Sequence, residues 1–323
     1  MGCGSLTVSD GSRPTCSGDS SRNAGLRTEF YRQILPTIGG SSMRPVASLP
    51  VAVVAMFAAC VDPPNESTAS SNRIVTNRIV TNRIVTNKLA AGKVAAAKLA
   101  ASQISSSSFR VNLDAAGDLI STDGGREVFS AIVACALPEG TMIEAVLPEG
   151  TFDFFGDAGL APEWLVQPLC SDSQRWVSAC LFSRVNGDDV VLPISLRGPN
   201  PALGADADER EIFTLQEGGF FGNYFTPKDQ PIQWYACRGA DKARGDSGDL
   251  ANRNCTVPDP QAPGLTMCGF NFAGDCGNFA VTHACESFAL GGTYYQRCHT
   301  APFLKYPAQG LVFLQVITTY VMP

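Results

Sequence analysis

The stretch Cys268-Gly-Phe-Asn-Phe-Ala-Gly-Asp-Cys276-Gly-Asn-Phe-Ala-Val-Thr-His-Ala-Cys285 sets three cysteines close together, and it lies inside a longer run, Cys237 to Cys298, that carries six. Gly and Pro turns are frequent across this run and apolar stretches are few, so its folded state buries little area to offset chain entropy. Cross-links lower the entropy of the unfolded chain, by typically about 2–4 kcal/mol each. At least three disulfides are therefore expected among the nine cysteines of residues 109–323, namely Cys135, Cys170, Cys180, Cys237, Cys255, Cys268, Cys276, Cys285 and Cys298. Short turn-rich loops bring their ends together cheaply, which points to Cys268 with Cys276 and Cys285 with Cys298. Eight cysteines admit about 105 connectivities, so the rest of the pairing stays open, and an odd total leaves one thiol over if eight pair.

Upstream of this run the patterning turns regular. Arg126 to Leu137 places Val128, Phe129, Ile132, Val133 and Ala136 on one helical face, and Pro138 ends the helix. Ser171 with Gln174 three residues on reads as a capping box, followed by Trp176, Val177, Cys180 and Leu181 on one face of a second helix. Strands are expected at Thr141–Leu147, Thr151–Phe155, Val190–Leu196 and Leu311–Val321, separated by Pro-Glu-Gly and Asn-Gly turns. After Gln233 the chain reads as turns. The fold class that follows is α+β over Phe109–Pro323, with short helices against a mixed or antiparallel sheet, disulfide-stabilised. Segments Gln174-Arg-Trp-Val-Ser-Ala-Cys180 and Glu217-Gly-Gly-Phe-Phe-Gly-Asn223 resemble uncharacterised exported proteins of myxobacteria, a likeness that implies export and no activity.

Charge divides the chain. Residues 109–323 hold 13 basic and 25 acidic groups, a net of −12, whereas residues 72–101 hold three Arg, three Lys and no acid. An acidic globular part repels phosphate backbones, so nucleic acid is not an expected partner. The basic stretch belongs to a five-residue repeat over residues 72–106, from Asn72-Arg-Ile-Val-Thr to Ser102-Gln-Ile-Ser-Ser. Five residues advance an α-helix by about 500°, so the apolar positions spiral without forming a stripe. An odd period also flips alternate repeats across a strand. The run is similar to the pentapeptide-repeat family, which would turn Ile74, Ile79, Ile84, Leu89, Val94, Leu99 and Ile104 into a four-sided coil. Seven pentads fill fewer than two such coils, and Lys88 to Ala101 is rich in helix formers, so a spacer stands beside the solenoid as an alternative. In either form Arg73, Arg78, Arg83, Lys88, Lys93 and Lys98 suit anionic head groups, at about 1 kcal/mol per cation near a charged surface.

Ahead of the repeat, Met43-Arg44 precedes an apolar run, Pro45 to Ala59, that is shorter than the roughly 20 residues needed to span a bilayer and suits a signal-peptide core. Its ending, Phe57-Ala58-Ala59-Cys60, resembles the lipobox of bacterial lipoproteins. That resemblance implies a signal peptide at 43–59, a lipid on the Cys60 thiol, and a linker over 60–71. Val61 in place of Asp further implies the outer membrane or cell surface. Residues 1–42 show no periodicity and read as a leader, with Met43 the expected start.

Several motifs invite catalytic readings. Gly245-Asp-Ser-Gly248 looks like a serine-protease nucleophile loop, but both histidines, His283 and His299, follow Ser247, and Asp249 follows Gly248. Arg244-Gly-Asp246 is an integrin-type tripeptide that a solvated loop explains as well. His283, Cys285, Cys298 and His299, with Cys276, could ligate zinc, although their spacing forms no C-x-x-C knuckle. Asp153, Asp157, Asp188, Asp189, Glu209 and Glu211 could supply a glycosidase pair, and nothing selects two of them. Trp164, Trp176, Trp234, Tyr235, Tyr294 and Tyr295 could stack on sugars, with Trp176 more fitting as core. No catalytic residue, metal or cofactor is therefore assigned. The expected function is a non-enzymatic, membrane-anchored surface lipoprotein of binding or envelope-structural role, with an extracytoplasmic hydrolase of glycosidase or peptidase type as the alternative.

Overall fold

Thr122 starts the longest described helix in the computed structural model, which describes residues 74–76, 79–80, 96–104, 119–186, 192–205, 207–227, 229–277, 283–286, 293–300 and 310–323. The Thr122 hydroxyl accepts the Gly125 N–H at 3.1 Å, so helix α1 (Asp123–Ala136) begins about a turn earlier than the apolar spacing requires. It buries Val128, Phe129, Ile132, Val133 and Ala136 as expected and stops ahead of Pro138. Helix α2 (Ser171–Ser183) is also found, with a different start. Cys170 is its N-cap and Ser171 its first helical residue, so the expected capping box does not form; Gln174 instead turns back and donates to the Leu169 carbonyl at 2.9 Å. Val177, Cys180 and Leu181 are fully buried, and the Cys135–Cys180 disulfide joins the two helices.

The hairpin of β3 (Met142–Leu147) and β4 (Gly150–Phe155) turns at Pro148-Glu149 and sets Phe154 edge-on to Phe129 of α1, with centroids 4.6 Å apart. The main sheet has six strands in the order β1-β6-β12-β7-β8-β9. These are β1 (Ile74–Thr76), β6 (Pro193–Arg197), β12 (Val316–Val321), β7 (Leu215–Asn223), β8 (Gln233–Arg238) and β9 (Asn271–Asp275). All neighbours are antiparallel except β8 and β9, so the sheet is mixed. The fold is the α+β class read from the sequence, with short helices on this sheet. Smaller ladders pair β2 (Ile79–Val80) with β5 (Val185–Asn186), and β10 (Cys298–His299) with β11 (Val312–Phe313).

The sheet carries a core on each face. One side packs Ile194, Leu196, Ile317 and Phe220 against α2, with the Phe270 ring in contact with both Phe182 and Phe220. Burying each of these rings contributes about 1.5–3 kcal/mol. The other side holds Phe221, Cys237, Cys276, Tyr295, Phe313 and Val316. Strand β7 at the sheet's centre escapes a propensity reading because Gly218, Gly219 and Gly222 lie within it. Geometry requires them. A Cβ on Gly218 would lie 2.2 Å from the Cys237 carbonyl oxygen, and Gly222 has φ +138° with the Gln233 carbonyl 1.8 Å from its Cβ position. Strands β8 and β9 likewise replace the turns expected after Gln233, and the single strand expected over Leu311–Val321 breaks at Leu314-Gln315 into β11 and β12.

Four disulfides lie among the described residues: Cys135–Cys180, Cys237–Cys276, Cys255–Cys268 and Cys285–Cys298. Three fall in the turn-rich half. The expected Cys285–Cys298 pair forms, while Cys268–Cys276 does not, because extended β9 separates the two. Cys170 is disulfide-bonded too, with a partner outside the described residues, so none of the nine cysteines after residue 108 is a free thiol.

Of the five-residue repeat, the described parts are built into the same compact unit as the sheet. Ile74–Thr76 pairs with β6 at the sheet edge, and Ile79–Val80 pairs with β5. Residues 96–100 are helical; Leu99 and Ile104 are buried, and the Trp164 indole N–H donates to the Ser102 carbonyl at 2.9 Å. Residues 1–73, including the export signal and Cys60, lie outside the described residues. No helix among those described is long and apolar enough to cross a membrane.

Candidate functional site

Most of the motifs read from the sequence turn out to be framework. Gly245-Asp-Ser-Gly248 packs against the C-terminal strand: the Asp249 N–H donates to the Met322 carbonyl at 3.1 Å, and Gly248 (φ +51°) lies so close to Pro323 that a Cβ would sit 2.1 Å from its carbonyl carbon. Ser247 precedes a 3-10 turn (Gly248–Asn252) and is exposed. The integrin-type tripeptide is engaged locally, Arg244 with Asp241 at 2.7 Å and Asp246 with Lys242. Among the acids, Asp157 pairs with Arg184, Asp153 faces Glu144 across the β3–β4 hairpin, and Asp188 and Asp189 lie outside the described residues. Trp164, Trp234 and Tyr295 are buried in the core and present no ring for a sugar, whereas Tyr294, Tyr235 and Trp176 keep a surface.

Of the zinc candidates, Cys276 and Cys285 converge, with Cys237 and not with His283 or His299. The Sγ atoms of Cys237, Cys276 and Cys285 all lie within 4.8 Å of one another. Strand pairing brings them there: β8 carries Cys237, Cys276 follows the parallel β9, and Cys285 bridges Cys298 of β10. The Cys285 N–H donates to the Cys276 carbonyl at 2.7 Å, which lays the two disulfides side by side with Cys237 and Cys285 sulfurs 3.4 Å apart. Metal ligation needs thiolates, and here all three sulfurs are held in disulfides, Cys237 with Cys276 and Cys285 with Cys298. The same pairing uses up the thiols beside His283 and His299, leaving no Cys–His nucleophile. His299 is buried in β10, and burial lowers its pKa, reinforced by Arg297 and opposed by Glu286.

Two further buried clusters carry charge. Arg253, fully buried, donates to Glu217 at 2.7 Å and to the carbonyls of Ser183 at 2.9 Å and Val185 at 3.0 Å. The same Glu217 oxygen accepts the Thr319 hydroxyl at 2.8 Å. This ties β7, β12 and the end of α2 together in the interior, with both charged side chains fully buried.

The second cluster does open outward. Arg197, at the end of β6, is 3% exposed. Its Nε donates to the Ser195 hydroxyl at 3.0 Å and its Nη2 to the Phe213 carbonyl at 2.7 Å, and the guanidinium stacks 3.9 Å above the Tyr320 ring. Tyr320 is fixed in turn by Gln216, which donates to its hydroxyl at 3.1 Å and accepts the Tyr295 hydroxyl at 3.1 Å. Burial pulls the Arg197 pKa down from its ordinary value, while Tyr320 and Glu209 act in the opposite sense. An arginine stays charged regardless, so this is an under-solvated cation.

Above Arg197 lies a cleft of about 270 Å³, walled by Pro199, Asn200, Gly204, Arg210, Thr293 and Tyr294. The chain folds back so tightly here because Gly198 has no side chain; a Cβ would lie 2.8 Å from the Val316 carbonyl oxygen. Asn200 then accepts the Ala202 N–H at 2.9 Å and starts the 3-10 turn Pro201–Leu203 that forms one wall. Comparison with family models, curated proteins and solved structures gives no match to this chain. The site therefore rests on its own geometry. The sequence signals Tyr294 only as one aromatic among several, and Arg197 not at all, since an arginine closing a predicted strand reads as a surface charge.

Proposed function

We propose that this chain is an exported lipoprotein, anchored by a lipid on Cys60 at the outer membrane or cell surface, whose acidic domain acts by binding rather than by catalysis. The observation that carries this reading is the oxidised state of all nine cysteines after residue 108. Disulfides in this number belong to oxidising compartments, because cytosolic thiols are kept reduced. The export signal at 43–59 and the lipobox-like Phe57-Ala-Ala-Cys60 support the same address. Binding is favoured over a thiol- or Ser247-based peptidase because the thiols are held in disulfides and Ser247 sits in an exposed structural turn. The cations Arg73, Arg78, Arg83, Lys88, Lys93 and Lys98 would hold the nearby chain against anionic head groups.

Substitution Cys60→Ser tests the anchor, since it removes the lipid acceptor and leaves the apolar export core intact. The expected result is release of the variant from membranes washed in high salt, with the unsubstituted protein retained. Retention of both would overturn the anchor.

A further inference from the structure

We propose that the Arg197 cleft is a binding site for the oxyanion of a small solute, a carboxylate or a phosphate, with Arg197 as its fixed anchor and Arg210 as a second cation. The inference deepens the binding role proposed above by giving that role a site and a ligand class.

The first argument is charge. Among the described residues, the lining of the cleft includes two arginines and no acid, in a domain that carries 25 acidic groups against 13 basic ones. Glu209, whose field reaches Arg197, is buried and is not among the residues that line the cleft. A cation pair with no carboxylate among the described lining residues concentrates positive potential in a small volume on an acidic domain, which attracts small anions and leaves polyanions repelled by the surroundings.

The second argument is an unused donor. Packing accounts for Nε and Nη2 of Arg197, but Nη1 has no hydrogen-bond partner among the described residues, although the side chain is 97% buried. Arg253, by contrast, has both of its Nη nitrogens on protein acceptors, two carbonyls and a carboxylate. Nη1 is the nitrogen left for the cleft. Because the guanidinium is already clamped by Ser195, Phe213 and Tyr320, an incoming oxyanion pays little ordering entropy for it. Its poor solvation strengthens a charge-assisted hydrogen bond.

Size and the remaining walls narrow the ligand. A volume of about 270 Å³ lies at the small end of ligand pockets and suits one sugar-sized unit. Asn200 uses only its side-chain oxygen internally, so its amide N–H groups, with the Thr293 hydroxyl and the Tyr294 ring, are placed for hydroxyls and a ring face. A sugar acid and a phosphorylated small molecule share the required chemistry.

The test is calorimetric titration of the full-length protein in detergent with inorganic phosphate, with sodium glucuronate and with glucose. Binding of either anion, weakened by added salt and absent for glucose, is the expected result; phosphate alone or glucuronate alone then identifies the source of the oxyanion. Gly204→Trp sets a large ring into the wall of the cleft at a position whose Cβ meets nothing nearer than the Pro201 carbonyl at 3.9 Å, and it should abolish binding. Arg210→Ala, at an exposed helical position, should weaken binding by roughly tenfold, the loss of one charge-assisted contact, and reduce the salt dependence. No binding of either anion, equal binding of glucose, or binding unchanged in both variants overturns the proposal. Membrane partition of the Cys60→Ser variant is read separately, so failure of the anion site and failure of the exported-lipoprotein reading give different results.

Discussion

Replacing Arg253 by methionine should destabilise the domain more than any other single exchange outside the disulfides. Methionine retains much of the aliphatic stem, so little volume is lost; what disappears is the guanidinium between Glu217 of β7, the Ser183 carbonyl at the end of α2 and the Val185 carbonyl of β5. Glu217 would keep one hydrogen bond, from Thr319, to a carboxylate that is fully buried and whose Oε1 already has no partner among the described residues. Removing one member of a buried ion pair costs about 3–5 kcal/mol. The two orphaned carbonyls overlap with that figure rather than add to it in full. For a domain of this size each kcal/mol lowers Tm by about 2–4 °C, so the expected drop is roughly 6–20 °C. Thermal unfolding followed by circular dichroism measures it, with Glu217→Gln and the double variant completing a cycle. The double variant should recover part of the loss, because the uncompensated charge is gone. A loss below about 1 kcal/mol for Arg253→Met, or strict additivity in the double variant, would refute the reasoning.

Other perturbations separate the remaining contributions. The pair Cys255→Ala/Cys268→Ala opens a short loop and should cost about 3 kcal/mol in denaturant unfolding, without abolishing the α1–α2 contact that Cys135–Cys180 holds. Gly222→Ala forces a side chain into φ +138° against the Gln233 carbonyl and should cost well over about 1 kcal/mol, measured by the midpoint of urea unfolding. His299 is held below its ordinary pKa by burial, so between that lowered value and about 6.5 the unfolded chain binds a proton that the folded one does not. Stability should therefore fall as pH drops through this window, and His299→Gln should flatten that part of the stability–pH profile; an unchanged slope would show that His299 does not contribute.

Local signals made α1, α2 and the β3–β4 hairpin legible. Each has an apolar period of its own and a stop, Pro138 for α1 and the Pro-Glu-Gly turn for the hairpin. The centre of the sheet was not legible. Strand β7 carries three glycines that lower its strand propensity, and their reason is the approach of Cys237, Thr256 and Gln233 from distant parts of the chain. Disulfide pairing shows the same limit. Cys285 and Cys298 lie across one antiparallel bridge, as a short loop allows. Cys268 and Cys276 are nearer in sequence, yet the five residues of β9 between them are extended and span roughly 16 Å. Parallel pairing of β8 with β9 gives Cys276 to Cys237 instead. At the cleft, Arg197 breaks the apolar run of its strand, and only the fold shows that it points inward onto Tyr320. The five-residue repeat posed a choice between solenoid and spacer. Its described residues instead lend strands to the sheet edge and buried side chains to the core, because pairing with β6 satisfies backbone groups that seven pentads could not satisfy alone.

The central claim is that this is an exported domain held by disulfides. Peptide mapping by mass spectrometry, on protein taken unreduced from its native envelope with thiols blocked at lysis, tests it most directly. The account predicts the links Cys135–Cys180, Cys237–Cys276, Cys255–Cys268 and Cys285–Cys298, with none of these eight cysteines alkylated. Recovery of these cysteines as alkylated free thiols would contradict both the framework and the extracytoplasmic address inferred from it.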